Sequence, residues 1–254
     1  MNRVLPRFLY APVNIGRDDT GTLREFLELV RDLHTVAAVN ITQPHKSSAV
    51  LRDLFTPDGG EDTNIDTLIR GSDGTLTPLD LNSTAFLTWY ADEVGPIAGR
   101  SVIVLGVGGV GEPIAKKIAA EGPANLVLVD IVDRAGLAAR LGARYESSLR
   151  GILDKGLPAA STVVNAAGKE GAADGADLWR LIERAPADAV FVDLRPQLVI
   201  DIVDEARRRG WNAHSGHGMN ARNDHVLLHG IAARVPGAEV PDFGTFQRLV
   251  AAAS

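Results

Sequence analysis

The sequence predicts an α/β protein of two domains, in which a doubly wound parallel sheet follows a smaller α/β domain. The first observation is an alternation that begins at Ser101, where short runs of valine, isoleucine and leucine alternate with amphipathic segments. Buried parallel strands joined by crossover helices produce this pattern. The second observation is the stretch "VGPIAGR" at 94–100, whose glycines and proline mark a boundary between domains.

In the N-terminal part the alternation of apolar and polar segments is looser, and it predicts three strands and three helices. The strands are predicted at 7–13, 35–42 and 66–71. The helices are predicted at 22–33, 47–55 and 83–94. We expect residues 1–98 to form a domain that binds substrate and carries the catalytic groups.

In the C-terminal part the apolar runs predict strands at 101–106, 124–130, 161–168 and 189–194. Helices are predicted between them at 111–122 and 177–185, and two more follow at 221–235 and 243–254. We expect residues 99–235 to bind a dinucleotide, and the last segment, about 236–254, to return to the first domain.

The composition excludes several classes of function. With 254 residues, 45% of them hydrophobic, the chain can bury a substantial core, and its formal net charge of −6 argues against nucleic-acid and anionic-membrane partners. The absence of cysteine excludes thiolate catalysis and disulfides. Neither a signal peptide nor a membrane-spanning run is predicted, so we expect a cytoplasmic monomer or homodimer with a small-molecule substrate.

Histidines do not form a predicted metal site. His225 and His229 are spaced i, i+4 on a predicted helix, a spacing that can bind zinc. No third ligand accompanies them, and HExxH is absent. We therefore predict no metal, and we expect the histidines to be structural or exposed.

The stretch "SVIVLGVGGVGEPIA" is a strand followed by a glycine-rich turn and a helix, which is the pattern of a Rossmann domain. Glycines in such a turn let the backbone approach a pyrophosphate, whose charge then lies at the helix N-terminus. The predicted cofactor-binding residues of the turn are Gly106, Gly108, Gly109, Val110 and Gly111.

A carboxylate after the next strand refines the choice of cofactor. Asp130 lies where the fingerprint places an acid that binds the adenosine ribose and repels a 2′-phosphate, so NAD is favoured. Nearby Arg134 keeps NADP possible. The loop after the following strand, with Asn165 and Ala166, is expected to contribute to the same cofactor site.

The stretch "AVNITQPHKSSAV" at 38–50 carries a lysine just past a strand end, preceded by short polar side chains. Together with the glycine turn, Asn40-x-Thr42-x-Pro44-x-Lys46 resembles the shikimate/quinate dehydrogenase family, over most of the chain from Asn40 to about Leu228. The resemblance implies an NAD(P)-dependent oxidoreductase of aromatic amino acid biosynthesis, with Lys46 as acid/base. It also implies that Asn40 and Thr42 contact the substrate.

At two positions the acid and the amide that the resemblance implies are interchanged. Aligned without gaps, the family's substrate-binding asparagine falls on Asp66, and its catalytic aspartate falls on Asn82. We expect Asp66 to be the carboxylate partner of Lys46 and Asn82 to hold the substrate. A shift of two positions would instead place Asp80 as the partner of Lys46.

Other departures from the family concern the substrate. No Ser-x-Ser pair is present for a substrate carboxylate; Thr20 and Thr22, at a predicted helix N-terminus, are one substitute, and an ordinary N-cap by Asp19 or Thr20 is the other interpretation. In "SGHGMNARND", Met219 matches the methionine near the nicotinamide, and Asn223 replaces the family's substrate-binding glutamine.

The chemistry requires a lysine with a lowered pKa. Burial disfavours the ammonium, and a shift of about 3 units to roughly 7–8 would let Lys46 take the hydroxyl proton during oxidation. In the reverse direction the ammonium would donate that proton to the developing alkoxide.

Two alternatives to this function stay open. A related dehydrogenase could act on another substrate, such as an aminated analogue or a methylene-pterin. A non-catalytic protein could bind the dinucleotide and regulate a partner.

Overall fold

A computed structural model describes residues 9–56, 64–154, 156–157, 161–167, 175–195, 200–233 and 238–253 of the chain. It has the predicted α/β architecture, with a three-stranded antiparallel sheet and a six-stranded parallel sheet. The chain divides into two compact units, one formed by the described residues of Met1–Asn82 and Ala221–Ser254, the other by those of Ser83–Asn220. The predicted division by role, at 98/99 and near 235, stays a prediction.

The first unit begins with a helix and a small sheet. In chain order its elements are α1 (Thr20–Asp32), β1 (Ala38–Asn40), a 3-10 turn (His45–Ser47), α2 (Ala49–Phe55), β2 (Thr67–Arg70) and β3 (Leu76–Leu79). The three strands are antiparallel in the order β1-β2-β3. Helix α1 forms because Leu23, Leu27 and Val30 repeat at helical spacing, and these residues are buried against apolar residues such as Leu51 and Leu68.

A fully buried arginine joins several parts of this unit. Arg70, 1% exposed, ends β2 and donates from Nη2 to the carbonyl of Val30 and from Nη1 to that of Arg31, both in the last turn of α1. It also donates to the carbonyls of Val36 and Gly74. The guanidinium thus binds carbonyls at a helix end and in two connecting segments, where few intrahelical partners are available.

The second unit is built on the parallel sheet. Its strands are β4 (Ser101–Leu105), β5 (Asn125–Val129), β6 (Arg144–Glu146), β7 (Ser161–Asn165), β8 (Val190–Asp193) and β9 (Asn212–Ser215), in the spatial order β6-β5-β4-β7-β8-β9. The helices are α3 (Leu81–Glu93), α4 (Gly111–Ala120), α5 (Ala135–Arg140), α6 (Arg150–Leu153), α7 (Gly175–Arg184), α8 (Ile200–Arg208), α9 (His217–Ala232) and α10 (Phe243–Ala253). The division between the units falls within α3 and α9, and α10 belongs to the first unit.

Both faces of the parallel sheet are buried. Along β4, Val102 and Val104 belong to one apolar cluster, and Ile103 and Leu105 belong to the other. Because successive side chains of a strand point to opposite faces, each face has its own core, which is the doubly wound arrangement. The order of the strands reverses at β4, so the carboxyl ends of β4 and β7 flank the position where such sheets bind ligands.

The predicted strand at 7–13 is wrong for its described part. Residues 9–15 have no regular secondary structure, and Leu9 and Val13 are exposed. Residues 7–8 lie outside the described residues. Within the described part of the chain no helix is both long and apolar enough to cross a bilayer.

Candidate functional site

Lys46 lies in the 3-10 turn between β1 and α2, and its side chain is only 9% exposed. The turn follows Pro44 and leads directly into α2, whose first turn is capped because Ser48 Oγ accepts from the Val50 amide at 3.3 Å. The Ile41 amide donates to the Asp66 carbonyl at 2.7 Å, which places the segment leading to Lys46 beside the start of β2. The local backbone structure therefore holds this lysine in a buried position.

Asp66 is fully buried, and its carboxylate caps helix α3. Oδ1 accepts from the Leu81 amide at 2.9 Å, and Oδ2 accepts from the Asn82 amide at 2.8 Å. The Thr67 hydroxyl also donates to Oδ1, at 2.9 Å. Three donors thus fix the carboxylate at a helix N-terminus, where a negative charge is favourable.

Burial shifts the pKa of both ionisable groups in opposite directions. Burial lowers the pKa of Lys46, against the charges of Asp66 and Asp80, which raise it. Burial raises the pKa of Asp66, and the hydrogen bonds from Asn82, Leu81 and Thr67, with the charge of Lys46, counteract the shift. In the described part of the chain no ion pair within 4.0 Å joins Lys46 to Asp66. The two groups therefore act on each other electrostatically, without a direct contact.

An amide pair lies next to this carboxylate. Asn223 Nδ2 donates to Asn82 Oδ1, while the backbone amide of Asn82 binds Asp66. Asn223 is 7% exposed, and its Oδ1 is buried without a hydrogen-bond partner among the described residues. Asp80 accepts from Asn64 Nδ2 at 3.3 Å and acts on Lys46 by its charge.

The structure thus brings Lys46, Asp66, Asn82 and Asp80 into one region. Asn40 ends β1 opposite Thr67 in the sheet and is exposed, and the Thr42 hydroxyl, also exposed, donates to the Gln43 carbonyl at 3.4 Å. The roles proposed for these residues stay predictions.

Thr20 and Thr22 are exposed at the start of α1, and Asp19 is the N-cap of this helix. Asp19 Oδ1 accepts from the Thr22 amide at 3.0 Å. A substrate carboxylate at this N-terminus would therefore meet the carboxylate of the protein itself. The N-cap interpretation of this segment is confirmed, and it weakens the suggestion that the two threonines bind an anion.

In the second unit the glycine turn leaves no space for side chains at two positions. Gly106 has a φ of +79°, and a Cβ there would overlap the backbone of Ala167. A Cβ at Gly111 would overlap the carbonyl oxygen of Gly106. Gly108, in contrast, faces open space, and Val110 provides no side-chain cap to α4. The N-terminus of α4 is therefore open to an anion in the way a pyrophosphate site requires.

Asp130 is buried at the end of β5, with both carboxylate oxygens bonded to backbone. Oδ2 accepts from the Val107 amide of the glycine turn, and Oδ1 accepts from the Val132 amide at 2.9 Å. Each oxygen keeps a lone pair for a ribose hydroxyl. Ile131 and Val132, which follow Asp130, are 63% and 55% exposed.

The remaining predicted cofactor residues contribute mainly through packing. Asn165 is buried at the end of β7, where Nδ2 donates to Asp193 at 3.3 Å and Oδ1 accepts from the Ala167 amide. Ala166 lies against the position that a Gly111 side chain would occupy, and Gly109 is half-buried. Met219 is 4% exposed within an apolar cluster of the second unit, and its contact with a nicotinamide stays a prediction.

Four residues near the two sites escaped the sequence reasoning. Thr67 orients Asp66, Asn64 orients Asp80, and the exposed Ile131 and Val132 follow Asp130 directly in the chain. Thr67 adjoins Asp66 in the sequence, which is a usable signal, whereas Asn64 lacks one.

Within the described residues no group of three or more histidine, aspartate or glutamate side chains could hold a metal. His225 instead bonds to the carbonyl of Pro241 and packs on Phe243 and Phe246.

Known proteins that resemble the chain in sequence or in fold are named as dehydrogenases or reductases. No protein-family model matches the chain. A shikimate dehydrogenase (NADP(+)) of Thioalkalivibrio sulfidiphilus is 33% identical over 119 residues, which are 46% of this chain and 40% of that protein. One of Geobacter metallireducens is 27% identical over 127 residues, 48% of this chain and 42% of that protein. The chain thus matches less than half the length of these curated relatives.

Solved structures share the fold over most of the chain. The shikimate dehydrogenase of Aquifex aeolicus superposes with a TM-score of 0.71 at 18% identity, over 91% of this chain and 83% of that one. The quinate dehydrogenase of Corynebacterium glutamicum, in complex with NAD, gives 0.68 at 20% identity, over 91% and 82%. The 5-ketofructose reductase of a Gluconobacter strain gives 0.65 at 17% identity, over 93% and 85%. The chain thus has the fold of these dehydrogenases, and over less than half of its length its sequence is similar to that of shikimate dehydrogenases.

Proposed function

We propose that this protein is an NAD-dependent oxidoreductase that interconverts a secondary alcohol and its ketone on a small hydroxylated compound. The observation that carries the proposal is the buried Lys46, whose pKa burial lowers while Asp66 and Asp80 act on its charge. A lysine whose pKa is lowered serves as a proton carrier more readily than an ordinary lysine. The relatives named as shikimate and quinate dehydrogenases support the same reaction type.

The residues of the glycine turn fit a dinucleotide. Open space at Gly108 and an α4 N-terminus without a side-chain cap suit a pyrophosphate, and the lone pairs of Asp130 suit ribose hydroxyls. When bound, the nicotinamide supplies the acceptor or donor of hydride.

Three features favour NAD over NADP. Asp130 would repel a 2′-phosphate, and the exposed apolar side chains of Ile131 and Val132 would border it. Arg134 Nη1 lies 3.7 Å from Glu112 Oε2, and this ion pair engages the arginine that could otherwise bind a 2′-phosphate. The solved relatives include complexes with NAD and with NADP+, so the choice is specific to each chain.

The protein residues would divide the proton chemistry and the binding between them. In oxidation, neutral Lys46 accepts the hydroxyl proton, and in reduction its ammonium donates the proton to the developing alkoxide. Asp66, fixed by backbone donors, stabilises the ammonium and sets its orientation. Asn82, Asn223, Asn40 and Thr42 would bind the remaining hydroxyls of the substrate.

Replacing the lysine tests the proposal. Lys46→Met keeps the length of the side chain but removes the proton carrier, so turnover should fall by about 10²–10⁴-fold. NADH affinity, measured by calorimetry, should change little. Lys117→Met on α4 is the matched control and should retain turnover. Unchanged turnover in Lys46→Met would contradict the proposed role, and NAD binding without turnover in the wild type would favour a regulatory function.

A further inference from the structure

We propose that Arg195 binds the nicotinamide end of the dinucleotide, by donating from its guanidinium to the carbonyl oxygen of the nicotinamide carboxamide. The inference rests on the proposed function, because it names a further residue of the same cofactor site. Every residue that carries it lies in the unit formed by the described residues of Ser83–Asn220. The observations concern the end of β8, the edges of the guanidinium and the order of the strands.

A buried carboxylate fixes Arg195 at the end of β8. Asp193, the last residue of β8, is 3% exposed and lies opposite Asn165 of β7 in the sheet. Its Oδ2 accepts from Asn165 Nδ2 at 3.3 Å, and its Oδ1 accepts from the backbone amide of Arg195 at 3.0 Å. The carboxylate is thus anchored both to the neighbouring strand and to the segment that follows β8.

The guanidinium of Arg195 uses only one of its edges for this carboxylate. Nε donates to Oδ1 of Asp193 at 2.9 Å, and Nη2 donates to Oδ2. Nη1 has no hydrogen bond or ion pair with any residue that the structure describes, and the side chain is 19% exposed. Because a guanidinium is a planar fork of N–H donors, Nη1 and the second N–H of Nη2 form an outer edge directed away from Asp193. The ion pair with Asp193 thus presents this outer edge as a rigid pair of donors.

The order of the strands indicates which half of a dinucleotide lies near Arg195. In the order β6-β5-β4-β7-β8-β9 the sheet consists of two groups of three strands, and in sheets of this topology each group binds one mononucleotide half. Asp130, proposed for the adenosine ribose, follows β5 in the first group. Strand β8 belongs to the second group, two strand spacings or about 10 Å from β4 and its glycine turn. The nicotinamide half is therefore expected at the carboxyl ends of β7 and β8, where Arg195 lies.

The chemistry of the guanidinium selects its acceptor on the cofactor. A guanidinium only donates hydrogen bonds, and the strongest acceptor of the nicotinamide group is the carbonyl oxygen of its carboxamide. Asp193 neutralises the charge of Arg195, so the pair does not repel the cationic ring of the oxidised cofactor. Arg195 would therefore hold the carboxamide, and with it the plane of the ring, in both oxidation states.

A ligand that lacks the ring tests the inference. ADP-ribose keeps the adenosine, the pyrophosphate and the second ribose of NADH but has no nicotinamide. In Arg195→Met the Kd for NADH, measured by calorimetry, should rise by about tenfold or more, because a hydrogen bond from a charged donor is lost. The Kd for ADP-ribose should stay within about threefold of the wild-type value. NADH is the probe because its ring is neutral, so the charge left on Asp193 does not bias the comparison.

Equal losses of affinity for NADH and ADP-ribose, or an unchanged Kd for NADH, would overturn the inference. Arg195 would then be only the structural partner of Asp193. Thermal unfolding checks that each variant folds.

Two further variants separate the outer edge of the guanidinium from its charge. Arg195→Lys keeps a cation beside Asp193, but an ammonium lacks the planar fork. The Kd for NADH should rise by about threefold or more in this variant, with that for ADP-ribose unchanged. Wild-type affinity for NADH would contradict the role of the outer edge. If Arg195→Met does not fold, the lysine variant decides the matter alone.

Arg209→Met is the matched control. Arg209 Nε also donates to an acid, Glu205, at 2.6 Å, but the residue lies in the turn before β9, at the amino ends of the strands. This variant should bind NADH and ADP-ribose as the wild type does. A loss for NADH as large as that of Arg195→Met would show a general effect of removing an arginine and would overturn the inference.

Turnover keeps the inference distinct from the proposed function. If NADH binding depends on Arg195 in this way but no secondary alcohol or ketone reacts, the nicotinamide contact is supported and the proposed reaction fails. If Lys46→Met abolishes a turnover that the wild type shows, while Arg195→Met weakens NADH and ADP-ribose equally, the proposed function holds and the inference fails. Absence of NADH binding in the wild type would overturn both.

Discussion

At the scale of residues, the informative feature is the exchange of acid and amide at Asp66 and Asn82. The structure gives a physical reason for the acid: the position faces two backbone amides and a hydroxyl, and a carboxylate accepts from all three. The sequence singles out Asp66 as unusual, because the family resemblance places an amide there. Its partners could not be predicted, because the two backbone donors lie 15 and 16 residues further along the chain.

Replacing this acid by its amide should destabilise the protein. In Asp66→Asn the side-chain NH₂ group, itself a donor, would face at least one of the three groups that now donate to the carboxylate, so a hydrogen bond would be lost. The substitution also removes the cost of burying a charge, which acts in the opposite direction. We expect the unmet hydrogen bond to dominate and the free energy of unfolding to fall by about 1–3 kcal/mol. Denaturant titration measures the change. Asp53→Asn, which breaks an exposed ion pair with Arg24, is the control and should cost about 1 kcal/mol or less.

The lowered pKa of Lys46 predicts opposite pH profiles for the two directions of reaction. Oxidation requires the neutral amine, so kcat/KM should rise with pH and level off above the pKa of Lys46, which lies below its usual value of 10.5. Reduction requires the ammonium, so its rate should fall as pH rises through the same pKa. Initial rates in both directions measure the profiles, and rates that follow the same trend in both directions would contradict the assignment.

At the scale of elements, the interior strands could be predicted, whereas three of the four edge strands could not; the exception is β1, which lies within the strand predicted at 35–42. Strands β4, β5, β7 and β8 lie inside the parallel sheet and are continuous apolar runs. The strands missing from the prediction are β3, β6 and β9, and each lies at the edge of its sheet. Edge strands need less apolar sequence, and β3 contains Pro78, which an edge tolerates. The segment 9–13 is the opposite case: its apolar residues led to a predicted strand, but these residues are exposed and form no strand.

The glycine turn allows a matched comparison of three glycines. Gly111→Ala would overlap the Gly106 carbonyl and should destabilise the second unit by several kcal/mol, on the order of other overpacked substitutions. Gly108→Ala meets no protein atom, so it should fold normally but weaken NAD binding, because its methyl group would occupy the space proposed for the pyrophosphate. Gly136→Ala in α5, also in open space, is the control and should stabilise by about 0.5–1 kcal/mol.

Thermal unfolding and calorimetry with NAD measure these effects. Normal NAD affinity in Gly108→Ala would contradict the placement of the pyrophosphate at this turn. A stable Gly111→Ala would instead show that the turn can move.

At the scale of the whole molecule, two units with separate sheets were expected from the sequence, and both sheets are present. The sequence indicates this because the alternation of apolar runs and helical segments is regular from Ser101 onward and looser in the N-terminal part. The site is harder to predict, because Asn223 and Asn82 lie 141 residues apart. Local patterns contain no information about such a pairing; the resemblance placed each residue at the substrate site but did not predict their contact.

A dinucleotide should stabilise the folded chain by mass action. At a free concentration of 100 times its Kd, NAD should add about 2.7 kcal/mol to the free energy of unfolding. NADP at the same concentration should add much less, because Asp130 and the exposed Ile131 disfavour a 2′-phosphate. Thermal unfolding with each nucleotide measures the difference, and a larger shift with NADP would contradict the assignment.

The four carbonyls that Arg70 binds belong to the end of α1, the connection to β1 and the turn after β2. None of these segments can separate from the others without exposing a guanidinium and its acceptors at the same time. Their amide protons should therefore exchange with deuterium through one shared opening event. A single side chain thus makes a short helix end and a small sheet behave as one cooperative unit.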